Sequence, residues 1–308
     1  MANSRLVDVP TPVPGIRILY DFINEAEEAY LLEKIDAAGG GPSTTSSSAG
    51  DGEAAAVRAT RSDEAGSATA TSAGKKSWGW KELNGRSMYW GGTVLPSGSL
   101  IPSPFPSFMD TAWPNVLDRI AQLGVYDEYS GGEGKGKERG PNHCLVNEYL
   151  PGQGIMPHTD GPAYHPLTST LSLGSHTVLC LRSPPAHLAA PGTSAPSEVQ
   201  SVDILLPPRS LVLLSGELYS TWLHGIQPLK GDSLPSLRGC ANWDGWWQFQ
   251  LAAAAAAAGE DDGEAARQEV RKARELAEAG KGWERGKRVS LTCRRPRGKV
   301  RTGLLGLR

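Results

Sequence analysis

From residue 142 onward the chain is cut into short apolar segments, and few folds can use such a pattern. "HCLVNEYL", "GIMPHTD", "STLSLGS", "TVLCLRS", "VDILLP", "SLVLLSG" and "STWLHGI" follow one another, rich in Val, Leu and Tyr and separated by Gly, Pro and Ser. All have the length of a strand rather than that of a helix. Such a series, with tight punctuation, predicts an antiparallel barrel or jelly roll. A last segment, "KRVSLTCR" at 287–294, returns to the sheet after an interruption at about 228–286.

The rest of the chain flanks or interrupts this core. "FINEAEEAYLLEKIDAA" at 22–38 reads as a helix, with Asn24 as its cap and Glu27 completing a capping box. Residues 39–76 are Gly-, Ser- and Ala-rich, and Val57 is their one large apolar residue. They cannot bury enough surface to offset their ordering entropy, so the stretch reads as a disordered insert. Order is expected to resume at "SWGWKELNGRSMYWGG", 77–92. A second helix is expected near 107–124, where Phe108, Ala112, Trp113, Val116, Ile120 and Leu123 recur at helical spacing. Inside the interruption, 251–281 has strong helix propensity but little to pack on, and reads as a peripheral or mobile helix. The domain plan is thus an N-terminal segment at 1–38, the insert at 39–76, and a main domain at 77–308.

Composition closes several doors. The longest purely apolar run is Leu251–Ala258, too short for a membrane span, and the N-terminus shows no apolar signal region. Cys144, Cys180, Cys240 and Cys293 form no CxxC pair, which favours reduced thiols in the cytoplasm or nucleus over a disulfide frame or zinc site. Residues 281–308 carry ten Lys/Arg against one acid, Glu284, in a chain whose net charge is -2. A basic end on an acidic body suits a polyanionic partner, or is simply a solvated tail.

The chemistry concentrates in "GIMPHTDGPAYHP" at 154–166. Residues two apart on a strand face the same side, so His158 and Asp160 can share a ligand. One imidazole and one carboxylate form part of a 2-His-1-carboxylate triad, which holds Fe(II) with three positions open. The remaining ligand should be a His on another strand. His165 lies past Gly161-Pro162 in a loop, His176 falls at a turn, His187 sits in a Pro/Ala-rich run, and His143 starts an upstream strand. His224, at the end of "YSTWLHGI", is the best placed. Three open positions suit a 2-oxo acid plus O2. A 2-oxo dicarboxylate also needs a cation at its far end, and Arg supplies a fixed, always-charged fork. Arg288 and Arg294 stand six apart on one strand face with Ser290 and Thr292, and Asn147 and Tyr149 share a face upstream.

These residues, in the order N-x-Y-x8-H-x-D, H, R-x5-R, resemble the AlkB-type Fe(II)/2-oxoglutarate dioxygenases. "LVNEYLPGQGIMPHTDGPAYHP", "TSTLSLGSHTVL", "PPRSLVLLSGELYSTWLHGI" and "RVSLTCRR" resemble the branch of the sixth eukaryotic AlkB homologue. The resemblance spans roughly 15–37, 78–128, 141–226 and 287–308. It implies a mostly β chain with flanking helices around a double-stranded β-helix (jelly roll) core. It further implies iron on His158, Asp160 and His224, and 2-oxoglutarate on Asn147, Tyr149, Arg288, Thr292 and Arg294. Ser290 stands where some AlkB enzymes carry Asn, which weakens one cosubstrate contact. The implied activity, with O2 as co-reactant, is oxidative N-dealkylation of DNA or RNA, with Tyr89 or Trp90 as a stacking group and the basic end as a nucleic-acid contact. The same chemistry on a protein side chain, or a non-catalytic binding module, stays open. No membrane partner is expected, and the sequence sets no oligomeric state.

Overall fold

The computed structural model describes residues 5–39, 81–83, 85–130, 136–184, 199–257, 271 and 282–301. The expected insert at 39–76 falls outside them but for Gly39, as do His187, nearly all of 258–281 and the last seven residues.

The chain opens with β1 (Val7–Asp8), β2 (Ile16–Leu19) and helix α1 (Glu25–Ala38). It continues with β3 (Lys81–Leu83), β4 (Gly85–Trp90), the β5 (Gly92–Val94) and β6 (Leu100–Pro102) hairpin, α2 (Ser107–Asp110) and α3 (Val116–Gln122). The core strands are β7 (His143–Tyr149), β8 (Ile155–His158), β9 (Tyr164–Leu173), β10 (Thr177–Arg182), β11 (Ser201–Leu206) and β12 (Leu211–Ser215). After a short α4 (Gly216–Ser220) come β13 (Leu223–Ile226), β14 (Gly231–Asp232), α5 (Leu234–Arg238), α6 (Trp243–Ala257), β15 (Trp283–Glu284) and β16 (Arg288–Pro296).

Two antiparallel sheets result. The larger runs β1-β2-β12-β9-β16-β7-β4-β3 and the smaller β11-β10-β13-β8. Each short apolar segment of the sequence became one of these strands, the jelly-roll expectation realised.

The large sheet has two unlike faces, because strand side chains alternate. One face carries Val146, Leu171, Leu213, Leu291 and Cys293, packed against Leu31 and Ile35 of α1 and Val116 and Ile120 of α3. Each fully buried Leu or Ile there contributes about 1.5–3 kcal/mol. The other face looks into the barrel and is divided. Towards β12 and β2 it is apolar, with Val212, Leu214, Ile16 and Ile18 meeting Leu181, Ile204 and Leu206 of the small sheet. Towards β9, β16 and β7 it is polar. Ser290 is aligned with Asn147 and Ser172, and Thr292 with Thr170, so these share a side with Arg288 and Arg294. A barrel that devotes half its interior to hydroxyls, an amide and two guanidiniums is not built for packing alone.

Helix α1 starts as expected. Asn24 Oδ1 accepts from the Glu27 backbone at 2.9 Å, and Glu27 Oε2 accepts from the Asn24 backbone at 2.9 Å. Glu27 also pairs with Arg119 of α3 at 2.9 Å, tying the two helices together. The single helix expected over 107–124 is instead two, α2 and α3. Pro114 lies between them, and a proline lacks the donor a helix interior needs.

The segment 228–286 is not a free interruption. β14 pairs with β15 and closes its base, and Leu234, Leu237, Cys240, Trp243 and Trp246 join the barrel core. Asn242 exchanges two 2.8 Å hydrogen bonds with the backbone of Leu205, covering the outer strand of the small sheet. Helix α6 begins at Trp243, inside the core, and meets the helix expected over 251–281 only at Leu251, which is 41% exposed; most of that expected helix lies outside the described residues.

Candidate metal and cosubstrate site

His158 ends β8 and His224 lies in β13. The two strands pair antiparallel with these residues directly opposite, so one register brings both imidazoles together. Their ring centroids are 4.4 Å apart. Gly225 permits the close approach, since a Cβ there would meet Ile155 O and Pro157 N at 3.0 Å. Asp160 follows His158 by two residues, and one ligand atom from each of the three lies within 4.8 Å of the others. Among the described residues this is the one cluster of His, Cys, Asp and Glu able to hold a metal ion.

The donors are prepared for that task. His158 Nδ1 lies 2.8 Å from Met156 O, which fixes its proton on Nδ1 and leaves Nε2 as a lone-pair donor. Burial, and then the neighbouring His158, hold His224 down at about 4, so it stays neutral near pH 7. His224 Nδ1 is buried without a hydrogen-bond partner. Two imidazoles beside a carboxylate are the donor set Fe(II) takes, so the residues fit the metal.

The other histidines are engaged elsewhere. His165 stacks on Tyr129 with centroids 4.6 Å apart. His176 pairs with Asp232 at 3.1 Å. His143 bonds the Tyr164 hydroxyl at 3.1 Å.

The arginines divide their work. Arg288 is 4% exposed; its Nη2 donates to Ser172 Oγ at 2.9 Å, its Nε has no partner, and its guanidinium sits 6.0 Å from the Tyr149 ring. No carboxylate pairs with it among the described residues. Burial lowers its pKa to about 10, which still leaves it charged. A buried lone cation is costly unless an anion arrives, which is the fit test for the distal carboxylate of 2-oxoglutarate. Arg294 has partners the sequence did not signal: its Nη1 donates to Asp160 Oδ1 at 3.0 Å, and its guanidinium lies 4.3 Å from the Tyr164 ring, while its Nε is buried without a partner. It orients a candidate metal ligand, and only its remaining N–H groups are free for a cosubstrate. Of the other expected contacts, Tyr149 and Ser290 are buried, Asn147 is half-buried on the same face, and Thr292 accepts from Thr170 at 3.3 Å.

Several partners gave no sequence signal. Ser172 and Tyr164 hold the arginines. Behind Arg288 lies a buried trio in which Arg285 grips Asp232 with two 2.7 Å bonds and His176 completes the group. Burial alone would raise the Asp232 carboxyl, but Arg285 and His176 outweigh it and hold it at about 2.

His143 provides a pH test. Burial, then the charge of Arg294, lower it to about 4 from its ordinary 6.5. Below pH 6.5 the unfolded chain takes up a proton that the folded chain refuses until about 4. The stability present above pH 6.5 therefore drops by about 3 kcal/mol as pH falls through 4. Urea unfolding of His143→Phe should show a shallower acid dependence than wild type; equal slopes would show that His143 is free to protonate in the fold.

The sequence from 15 to 294 matches the 2OG-Fe(II) oxygenase superfamily, and the chain belongs to that family. It is therefore a 2-oxoglutarate-dependent dioxygenase, using Fe(II), 2-oxoglutarate and O2. Within that class it is similar to a Danio rerio protein named "Probable RNA/DNA demethylase ALKBH6", at 29% identity over 76% of this chain and 81% of the relative. It is 25% identical to the Xenopus tropicalis "tRNA (carboxymethyluridine(34)-5-O)-methyltransferase alkbh8" over 72% of this chain, but spans 27% of that longer protein. A solved structure described as OsALKBH1 aligns at TM-score 0.42 and 13% identity, over 93% of this chain and 99% of that one.

Proposed function

We propose that this dioxygenase removes an N-alkyl group from a nucleic-acid base by oxidation. The observation that carries the chemistry is the polar half of the barrel, where a 2-His-1-carboxylate cluster and an unpaired buried Arg288 face one interior. Iron bound by His158, Asp160 and His224 would supply oxygen activation coupled to loss of CO2 from 2-oxoglutarate. The chain's own share is to fix those three ligands through strand register, to hold Asp160 with Arg294, and to anchor the cosubstrate with Arg288.

The nucleic-acid substrate rests on the similarity to a protein named as an RNA/DNA demethylase. Local features suit it. Of the two stacking candidates, Trp90 is fully buried in the core, whereas Tyr89 is 46% exposed and stacked on His143 at 5.6 Å. A base to be oxidised must leave its stack and be met by such faces. The same chemistry on a protein side chain is the competing substrate class. Four free cysteines favour the cytoplasm or nucleus, and no helix among the described residues is long and apolar enough to cross a membrane. Mass spectrometry of alkylated oligonucleotides and peptides incubated with iron, ascorbate and 2-oxoglutarate tests the reading. Loss of alkyl groups from peptides alone would overturn it.

The basic end contributes fewer cations than its composition offers. Arg295 donates to the carbonyls of Tyr129, Glu138 and Gly140 and is not free for phosphate. Arg297, Lys299 and Arg301 are exposed, with Arg297 Nε alone held, by the Tyr164 carbonyl at 2.6 Å, so that its terminal nitrogens stay open to phosphate. As nucleic-acid contacts they would each release condensed counterions, adding about -0.7 to the slope of log affinity against log salt for single strands. The Arg297→Gln/Lys299→Gln/Arg301→Gln variant should show a slope shallower by about 2. An unchanged slope would mark the end as a solvated charge cluster.

A further inference from the structure

Thr177 opens β10 and is 2% exposed. Its hydroxyl oxygen has no hydrogen-bond partner. It lines a small cavity together with Tyr149, His176, Ile226, Arg285 and Arg288. Arg288 Nε, in the same cavity, is likewise buried and unpartnered. Valine has the same shape as threonine and is at least as suited to a buried strand, so folding alone would favour it over an unsatisfied hydroxyl. Two residues with orphaned donors, one of them a cation, lining one cavity call for an anionic acceptor.

The placement of Thr177 is rigid. Its backbone pairs with Leu206 of β11, and its neighbour His176 is held 3.1 Å from Asp232, which Arg285 grips in turn. Trp283 packs edge-on against His176 at 5.2 Å. The segment that looked like an interruption thus forms the back wall of this cavity. An ordered wall of this kind fixes how far from the iron ligands a carboxylate can sit.

We infer that the Thr177 hydroxyl is a specificity determinant for the cosubstrate, donating to the distal carboxylate of 2-oxoglutarate beside Arg288. The inference rests on the family's use of 2-oxoglutarate and not on the nucleic-acid substrate, which its test omits.

The test is calorimetric titration of the Mn(II)-loaded protein, in which no turnover occurs. The probes are 2-oxoglutarate and 2-oxopentanoate, which keeps the 2-oxo acid head but ends in a methyl group. Thr177→Val should weaken 2-oxoglutarate binding about tenfold or more, the loss typical of one hydrogen bond to a charged group. It should leave 2-oxopentanoate binding within about twofold, because that ligand offers the hydroxyl nothing. Thr177→Ser, which restores the hydroxyl, should bind 2-oxoglutarate within about threefold of wild type. The metal-free Thr177→Val protein should melt no lower than wild type, since it loses an unsatisfied buried group. A Thr177→Val protein that binds 2-oxoglutarate as wild type does, or that loses both probes equally, overturns the inference.

Discussion

A His224→Ala variant should lose iron and with it all 2-oxoglutarate turnover, while His165→Ala keeps both. Two donors replace three in the first case, and the pairing of β13 with β8 offers no substitute imidazole at that register. Mutating a group that merely supports a ligand typically costs 10–100-fold in metal affinity or activity, so removing a ligand should exceed about 100-fold. His165 is stacked on Tyr129 outside the cluster, and its loss touches no donor. Asp160→Ala should be worse than His224→Ala in a way that separates structure from chemistry. It removes an iron ligand and also strands the buried Arg294 without its carboxylate. Breaking such a pair from one side costs about 3–5 kcal/mol. Metal analysis and urea melts on all three proteins check this. Iron loss in His165→Ala equal to that in His224→Ala would mean the wrong third ligand.

What the sequence disclosed was what local rules encode. Alternation and punctuation marked the strands, the Asn24 and Glu27 spacing marked the start of α1, and His-x-Asp singled out two of the three clustered residues, although β8 ends at His158 and Asp160 lies just beyond it rather than on the same strand. His224 was chosen as a strand histidine, and the structure clusters it with His158 and Asp160; His165, expected in a loop, lies in β9 instead, and neither it nor His143 of β7 joins the cluster. What stayed hidden depends on pairs remote in sequence. His176 meets Asp232 across 56 residues and Arg285 meets Asp232 across 53, with no period or motif to link them. Arg294 reaches Asp160 across 134 residues, which is why the sequence assigned it wholly to the cosubstrate. The alanine run after Leu251 drew attention from Trp243 and Trp246, whose density of buried aromatic surface was the available sign that the interruption is anchored in the core. Pro114 was also visible, yet the apolar spacing across it favoured one helix over the two that form.

The second large effect concerns Arg288. Arg288→Lys keeps the charge but loses the planar fork and the Nε donor that now lacks a partner. Lys is also more strongly hydrated than Arg and sheds its proton readily when buried, and this site is 4% exposed. The variant should therefore bind 2-oxoglutarate at least about tenfold more weakly, the worth of one hydrogen bond to a charged group. Arg288→Met should go further and abolish measurable binding. Its effect on the empty protein should have the opposite sign. Arg288 is a buried cation held by one serine hydroxyl at 2.9 Å and an aromatic ring at 6.0 Å, with no carboxylate partner. Replacing buried charge with an apolar chain of similar volume is often neutral or stabilising by about 1–4 kcal/mol. Arg288→Met should thus melt at or above wild type without ligand, and below it once 2-oxoglutarate is added, because only wild type gains from binding. A crossing of that kind places the arginine at the cosubstrate and charges its cost to the fold. If Arg288→Met instead unfolds the metal-free protein while Arg288→Lys binds 2-oxoglutarate normally, the guanidinium is there to hold the barrel and the anchoring role is wrong.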